Sequence, residues 1–178
     1  MTTNYLFAGF GGQGILFAGK LVAYKGLIEG MNVSWLPSYG PEMRGGTANC
    51  SIIVSDSPIG APIVLKPDVL IAMNLPSLDK YENNVVPGGK IFVDSSLINR
   101  IVMRKDVKPC YVPATRLASE NNIEGLANII LLGKMLRNTG QYTWDTITMA
   151  LEKCISARHK DLLELNQKAL ALGCGFGT

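Results

Sequence analysis

The sequence is poor in charged side chains, which make up 17% of its 178 residues. Globular domains usually carry about 25%. A lone monomer with so little charge would leave apolar surface exposed, so we expect an interface with another chain. The net charge of +3 is too small to indicate a nucleic-acid-binding protein, and no run of Lys and Arg is present.

The sequence also lacks closely spaced metal ligands. Its cysteines form no CxxC pair and lie far apart, at Cys50, Cys110, Cys154 and Cys174. Because iron–sulfur clusters take cysteine ligands that are mostly close together, we expect this chain alone to hold no cluster and no other metal. The single histidine, His159, is predicted to lie in a solvated loop between two helices. No Ser/His/Asp set and no paired carboxylates stand out, so we expect no catalytic residue of a self-sufficient enzyme.

Long apolar segments are missing as well. No stretch approaches the roughly 18 uninterrupted apolar residues of a membrane span. The N-terminus lacks the cationic and apolar regions of a secretory signal. With the scattered cysteines, these absences predict a cytoplasmic protein without a membrane contact. The length predicts a single domain over residues 1–178, since domains commonly run roughly 100–200 residues.

Strand and helix patterns alternate along the chain. We predict strands at Tyr5–Ala8, Asn32–Leu36, Thr47–Ser55, Ile63–Leu65, Val69–Ala72, Lys90–Val93 and Lys108–Val112. Helices are predicted at Ile15–Glu29, Pro76–Tyr81, Ala114–Asn121, Leu126–Asn138, Thr143–Ser156 and Asp161–Leu172, the last ended by Gly173. The alternation predicts an α/β fold: a Rossmann-like three-layer sandwich whose mostly parallel sheet has helices on both faces.

A glycine turn links the first strand to the first helix. Gly9-Phe10-Gly11-Gly12-Gln13-Gly14 matches the G-x-G-x-x-G pattern, in which glycines permit a tight turn and the helix N-terminus faces an anion. A dinucleotide site of the NAD type also needs an acid about 20 residues later, at the end of the second strand. That strand ends in Ser34-Trp35-Leu36-Pro37, and Glu29 comes too early. NAD is therefore disfavoured, which leaves another phosphate-bearing ligand or a purely structural turn.

A second glycine-rich loop follows the second strand, from Pro37 to Gly46. It places the acid Glu42 and the base Arg44 between Gly40-Pro41 and Gly45-Gly46. In sheets of this type ligands bind beyond the carboxyl ends of the strands, so we expect the loop to lie at the same edge as the glycine turn. The alternative is a surface turn with solvated charges.

Two further polar residues, Asn74 and Asp94, end successive strands. Ligand groups often occupy such positions. The run Asp94-Ser95-Ser96 also suits a helix cap or a turn, and we favour that interpretation.

Three segments together resemble a known family. They are the GxGGQG turn, the loop Tyr39-Gly40-Pro41-Glu42-Met43-Arg44-Gly45-Gly46-Thr47, and the helical segment Asn128-x-x-x-Leu132-Gly133. They resemble the gamma-type subunits or domains of 2-oxoacid:ferredoxin (or flavodoxin) oxidoreductases, over essentially the whole chain.

The resemblance implies an enzyme that decarboxylates a 2-oxoacid on thiamine diphosphate. In most members the acyl group passes to coenzyme A, and electrons pass through iron–sulfur clusters to ferredoxin. Alpha and beta subunits would hold the thiamine cofactor, and a ferredoxin-like delta subunit often adds clusters. The gamma part would be a non-catalytic, Rossmann-like subunit near the coenzyme A approach. Among the 2-oxoacids we expect 2-oxoglutarate.

The resemblance also implies which residues form the site. The turn residues that match are Gly9, Gly11, Gly12 and Gly14. The loop residues that match are Glu42, Arg44, Gly45 and Gly46. We expect them to contact coenzyme A or a partner subunit, with phosphates at the helix N-terminus and on Arg44. Two alternatives are a stand-alone dinucleotide-binding oxidoreductase and a scaffold subunit that binds no ligand.

Overall fold

The computed structural model describes residues 1–38, 48–156 and 158–177. The strands in this part of the chain are β1 (Thr2–Gly9), β2 (Asn32–Ser38), β3 (Ala48–Ser55), β4 (Val69–Ala72), β5 (Lys90–Asp94) and β6 (Lys108–Val112). The helices are α1 (Ile15–Ile28), α2 (Leu75–Tyr81), α3 (Ala114–Glu120), α4 (Ala127–Asn138), α5 (Trp144–Cys154) and α6 (Lys160–Gly175). A 3₁₀ turn at Glu82–Asn84 follows α2.

The six strands form one sheet in the order β2-β3-β1-β4-β5-β6. Strands β1, β4, β5 and β6 pair in parallel, whereas β3 is antiparallel to both β1 and β2. Only β3 is therefore reversed, and β2 runs in the direction of β1. The predicted α/β fold with a mostly parallel sheet is confirmed, although the reversed strand was not foreseen.

The predicted strand at Ile63–Leu65 is wrong. These residues lie in an irregular segment, where Ile63 is 60% and Leu65 76% exposed. Only Val64 is buried, and its backbone N–H donates to the hydroxyl of Ser51 at 3.2 Å. A single side-chain acceptor takes the place of a strand ladder, so the segment covers the sheet without extending it.

Helices cover both faces of the sheet, but unequally. On one face α1 lies over β2 and β3, α4 contacts β5, and α3, α5 and α6 pack against α1 and α4. The other face is covered by α2 and by the segment 95–107, whose Ile98, Val102 and Val107 pack on Leu70 and Ile91 of the sheet. The second face thus depends on one short helix and an irregular segment.

Glu82 anchors that irregular segment. Its carboxylate accepts hydrogen bonds from the backbone N–H groups of Met103, at 2.5 Å, and Arg104, at 3.1 Å, and from the guanidinium of Arg100 at 2.7 Å. The residue is only 4% exposed. Burial alone would raise the pKa of Glu82, but these three donors outweigh it and hold the pKa below its ordinary value.

Two glycines bring α1 close to the sheet. An added Cβ at Gly19 would lie 2.5 Å from the sulfur of Cys50, and one at Gly26 would lie 2.8 Å from a methyl group of Val33. Seven residues span about two helical turns, so both glycines lie on the face that meets β2 and β3. The close packing fixes the N-terminus of α1 beside the end of β1.

Gly173 does not end the last helix, contrary to prediction, because α6 continues to Gly175. Instead Gly173 and Gly133 form the contact between α6 and α4. An added Cβ at Gly133 would overlap the carbonyl oxygen of Leu170, and one at Gly173 would overlap that of Ile130. The two glycines thus allow the helix backbones to touch.

Candidate functional site

The glycine turn lies at the carboxyl edge of the sheet, between β1 and α1. Gly12 and Gly14 have φ values of 91° and 71°, a left-handed region that favours glycine. Gly14 is the N-cap of α1, and no described side chain caps this helix. The first N–H groups of α1 therefore have no acceptor within the helix and point toward the edge, as an anion site requires.

Gln13 ties the turn to the neighbouring strand. Its side-chain oxygen accepts from the N–H of Phe10 at 2.6 Å, and its side-chain nitrogen donates to the carbonyl of Met73 at 3.1 Å. Met73 directly follows β4, which lies next to β1. One carboxamide therefore closes the turn and joins it to the next strand end.

Asn128 holds the turn from the other side. Its side-chain nitrogen donates to the carbonyl of Gly14 at 2.9 Å. An added Cβ at Gly14 would overlap this carboxamide, so the two backbones meet only because position 14 is glycine. The sequence marked Asn128 as part of a motif but gave it no role, because nothing local connects it with residue 14.

Two clefts flank the turn. The β3-side cleft, of about 230 Å³, lies between Gly11, Gly14, Phe17 and Ala48. The α3-side cleft, of about 380 Å³, lies between Gly12, Met73, Leu97, Ser119 and Gly125. Gly12 lines both, so a ligand on the turn could extend into either.

The predicted second loop begins and ends near this turn. Strand β2 ends at Ser38, which pairs with Asn49, and β3 begins at Ala48, which pairs with Gly9. Both described neighbours of the segment 39–47 therefore lie at the carboxyl edge. Glu42, Arg44, Gly45 and Gly46 themselves lie outside the described residues, and their assignment stays a prediction.

Asn74 caps a helix, and Asp94 holds a turn and the start of another helix. The buried carboxylate of Asp94 accepts from the N–H of Thr115 at 3.2 Å, from its hydroxyl at 2.5 Å, and from the N–H of Ser96 at 3.0 Å. The side-chain oxygen of Asn74 accepts from the N–H of Ser77 at 2.8 Å, at the start of α2. The preferred interpretation of Asp94-Ser95-Ser96 as a cap or a turn is confirmed, and little of this carboxylate is left for a ligand.

The cysteines are free thiols and do not cluster. Burial raises the pKa of Cys50 to about 12 and raises the pKa values of Cys110 and Cys154 as well. Thiols with raised pKa values are weak nucleophiles, because the thiolate is the reactive form. Among the described residues, no group of three or more His, Cys, Asp or Glu could hold a metal ion. His159 is exposed, as predicted.

None of the helices in the described part of the chain combines the length and the apolar character that crossing a membrane requires.

Comparison with known families gives one match over nearly the whole chain. The protein-family model described as pyruvate ferredoxin/flavodoxin oxidoreductase matches residues 4–176 of this chain. The ketoisovalerate oxidoreductase subunit VorA of Methanothermobacter marburgensis is 37% identical over 171 residues, which are 95% of this chain and 35% of the relative. The 2-oxoglutarate synthase subunit KorC of Methanocaldococcus jannaschii is 36% identical over 147 residues, 81% of this chain and 79% of the relative.

Solved structures agree with these relatives. The gamma subunit of a keto/oxoacid ferredoxin oxidoreductase from Geobacter sulfurreducens is 28% identical and has a TM-score of 0.82. The match covers 96% of this chain and 95% of that subunit. A 2-oxoglutarate:ferredoxin oxidoreductase from Magnetococcus marinus, solved with 2-oxoglutarate, coenzyme A and succinyl-CoA bound, shares the fold, with a TM-score of 0.87 at 20% identity. This chain covers only 30% of that protein, and it likewise spans only 35% of VorA. In both, the shared unit is part of a longer chain.

Proposed function

Because the chain belongs to the pyruvate ferredoxin/flavodoxin oxidoreductase family, we propose that it serves a thiamine- and coenzyme A-dependent 2-oxoacid:ferredoxin oxidoreductase without carrying the redox chemistry. The sequence resemblance to gamma-type subunits or domains is confirmed, since a gamma subunit matches the chain nearly end to end. The proposed role has two parts: assembly with the catalytic subunits, and binding of coenzyme A.

A non-catalytic role is supported by the chemistry of the side chains. Among the described residues no group of three or more His, Cys, Asp or Glu could hold a metal ion, and three of the four thiols have raised pKa values. Thiamine diphosphate and the iron–sulfur clusters would then be held by alpha and beta subunits, with or without a ferredoxin-like delta subunit. The low share of charged residues and the longer relatives fit a unit that works against another protein surface.

The glycine turn carries the proposal for coenzyme A. It combines left-handed glycines, an uncapped helix N-terminus and two flanking clefts, and two carboxamides hold it in place. The N–H groups at the start of α1 would bind phosphate oxygens of coenzyme A. Gly9, Gly11, Gly12 and Gly14 would let the ligand approach the backbone. Glu42, Arg44, Gly45 and Gly46 would complete the site, with Arg44 pairing with a second phosphate.

We propose 2-oxoglutarate as the 2-oxoacid and the cytoplasm as the location. The KorC relative is named for 2-oxoglutarate, and VorA is named for ketoisovalerate at nearly the same identity. The pocket that selects the acid would lie on the partner subunits, so both relatives are compatible with the same gamma-type unit.

The decisive experiment uses the assembled enzyme, co-expressed with the neighbouring thiamine-binding subunits. Arg44→Ala should raise the KM for coenzyme A about tenfold or more, since hydrogen bonds to charged groups contribute roughly 1.5–3 kcal/mol. The KM for the 2-oxoacid should not change. Weaker association of the subunits would assign Arg44 to the interface instead.

Arg137→Ala is the matched control, because Arg137 is exposed at the far end of α4. Unchanged kinetics of Arg44→Ala in a fully assembled complex would contradict the proposed site.

The two alternatives make different predictions. A stand-alone dinucleotide enzyme would bind NAD in titrations of the pure protein, although β2 (Asn32–Ser38) supplies no acid for the ribose. In a scaffold subunit the glycine turn would only shape an interface, so variants of the turn would weaken assembly with the partner subunits and leave the affinity for coenzyme A unchanged.

A further inference from the structure

Strand β2 forms an edge of the sheet that lacks the usual protection. Among the described residues it pairs only with β3, so its outer side continues no ladder. Edge strands are usually blunted by charged side chains, bulges or proline, because an open edge can pair with a strand of another chain. No residue of β2 is charged, and its register with β3 runs without a bulge from Asn32 to Ser38.

The other edge of the same sheet is guarded. Strand β6 is only five residues long, and it begins with the exposed Lys108 followed by the exposed Pro109. A lysine and a proline at the start of a short strand are two of the common devices that prevent pairing between edges. Strand β2 has seven residues, and its single proline, Pro37, comes next to last. The two edges therefore differ, and β2 is the open one.

The position of Pro37 shows which backbone groups of β2 are free. A proline fits in an edge strand where its nitrogen faces away from the neighbouring strand. Because the backbone groups of an antiparallel strand alternate in direction, the N–H and C=O groups of Trp35 and Val33 face outward as well. These are the donors and acceptors that an added strand would use.

The side chains of β2 are incompletely covered on both faces. Val33 and Trp35 face α1, where they contact its two glycines, and both stay partly exposed. Ser34 and Leu36 point to the opposite face, and Leu36 is 39% exposed. A strand placed beside β2 would bury more of all four side chains.

We propose that β2 pairs antiparallel with β2 of a second copy of this chain, about a two-fold axis at Ser34. In this register Val33 of each copy lies opposite Trp35 of the other, and each such pair exchanges both of its backbone hydrogen bonds. The pairing uses the outward N–H groups of Val33 and Trp35 and needs none from Pro37. It also sets a β-branched side chain beside an aromatic one, a favourable cross-strand pair.

The composition of β2 favours a second copy as the partner. A two-fold interface brings the same surface of both copies together, so a charge near the axis would lie opposite the same charge and destabilise the pair. Strand β2 carries no charge, and the residues that meet at the axis are two copies of Ser34, whose hydroxyl groups can hydrogen-bond to each other. The two sheets would then form one continuous sheet.

The first test measures the mass of the purified full-length chain by sedimentation velocity over a range of micromolar concentrations. The unmodified chain should form a dimer. Ser34→Lys sets two cations against each other at the axis, so it should weaken dimerisation about tenfold or more. Ser119→Lys is the matched control, because Ser119 is an exposed serine on α3, which follows the opposite edge strand. It should dimerise like the unmodified chain.

The second test probes the register by cross-linking. Cα atoms of a non-hydrogen-bonded antiparallel pair lie about 4.5 Å apart, within the roughly 4.4–6.8 Å that a disulfide spans. Ser34→Cys should therefore give a disulfide between the two copies under mild oxidation, identified by peptide mass spectrometry. Ser38→Cys should give none, because the two copies of Ser38 lie at opposite ends of the paired strands.

Three results would overturn the inference. The first is an unmodified chain that stays monomeric at high micromolar concentration. The second is a dimer that Ser34→Lys leaves intact, or one in which position 38 cross-links and position 34 does not. The third is a monomer whose assembly with the co-expressed thiamine-binding subunits is lost in Ser34→Lys, since β2 would then pair with a strand of those subunits. The proposed function stands in each case, because neither of its parts depends on a second copy of this chain.

Discussion

The side-chain nitrogen of Asn128 donates a hydrogen bond of 2.9 Å to the carbonyl oxygen of Gly14, a residue 114 positions earlier in the chain. Asn128 lies in the first turn of α4 and is 3% exposed, and Gly14 is the N-cap of α1. The same carbonyl accepts from the N–H of Ala18 at 3.1 Å. The contact therefore adds to the helix ladder and joins the starts of two helices beside the candidate site.

Replacing Asn128 should loosen this junction. Asn128→Ala removes one hydrogen bond, while Gly14 keeps its bond from Ala18, so we expect the free energy of unfolding to fall by about 1 kcal/mol. Asn128→Asp would place a carboxylate against a carbonyl oxygen and should cost about 2 kcal/mol or more at neutral pH. Urea denaturation followed by circular dichroism measures both values.

The control for this pair is Asn138→Ala, at the exposed end of the same helix. Its effect should stay within about 0.5 kcal/mol. Equal stability of Asn128→Asp and the unmodified chain would show that the hydrogen bond to Gly14 contributes nothing.

The sequence predicted the local parts of the site because their signals are local. The glycine spacing of the turn, the start of α1 at Ile15 and the capping sequence at Asp94 are all contained within a few residues. The contact between Asn128 and Gly14 could not be predicted in this way, because it forms only when two distant helices meet at one sheet edge.

The direction of β3 was a second feature that could not be predicted from the sequence. The pattern of β3, with alternate residues Cys50 and Ile52 in the core, is the same whether the strand runs parallel or antiparallel. The apolar run Ile63–Leu65 resembles a strand, yet only Val64 turns inward. Gly173 resembles a helix terminator in the sequence, but in the structure it is the contact with Ile130 of α4 that requires a glycine there. In each case the deciding neighbour is remote in sequence.

The contact between α4 and α6 should depend on its glycines. In an open helix position, alanine is more stable than glycine by about 1 kcal/mol. At Gly133 and Gly173 the added methyl group meets backbone carbonyl groups of the facing helix, which cannot rotate away. We expect Gly133→Ala and Gly173→Ala to lower the free energy of unfolding by about 1–3 kcal/mol.

Gly175→Ala tests the sign of this effect in the same helix, since an added Cβ there meets no atom within 4 Å. It should be neutral or slightly stabilising in the same denaturation assay. Stabilisation by Gly173→Ala would mean that the two helices are farther apart than described.

Glu82 should make the free energy of unfolding depend on pH, through its contacts with the segment 95–107. Its folded pKa lies below the ordinary value of 4.5, because Arg100 and two backbone N–H groups favour the carboxylate. Because the pKa of Glu82 is lower in the folded than in the unfolded state, the ionised carboxylate stabilises the fold at pH values above the unfolded pKa. This stabilisation is lost as the pH falls through the folded pKa. Glu82→Gln should therefore lower the free energy of unfolding by about 2 kcal/mol at neutral pH, and the difference should shrink below about pH 4.5.

The comparison variant is Glu120→Gln, whose partner Arg116 lies 3.5 Å away in an exposed pair. Such pairs contribute about 0–1 kcal/mol. A difference between Glu82→Gln and the unmodified chain that is independent of pH would contradict the role of the charge.

Cys50 should be the least reactive of the four thiols. It is 0% exposed beneath α1, and burial raises its pKa to about 12. Alkylation needs both access and the thiolate, so in the native protein Cys50 should react only through local or global opening.

Iodoacetamide labelling near neutral pH, read by peptide mass spectrometry over time, should modify Cys50 last. In denaturant the four cysteines should react at similar rates, which controls for differences between peptides. Native labelling of Cys50 as fast as that of the partly exposed Cys174 would show that α1 separates readily from β3, and the glycine turn would then lack the rigid support that binding a ligand requires.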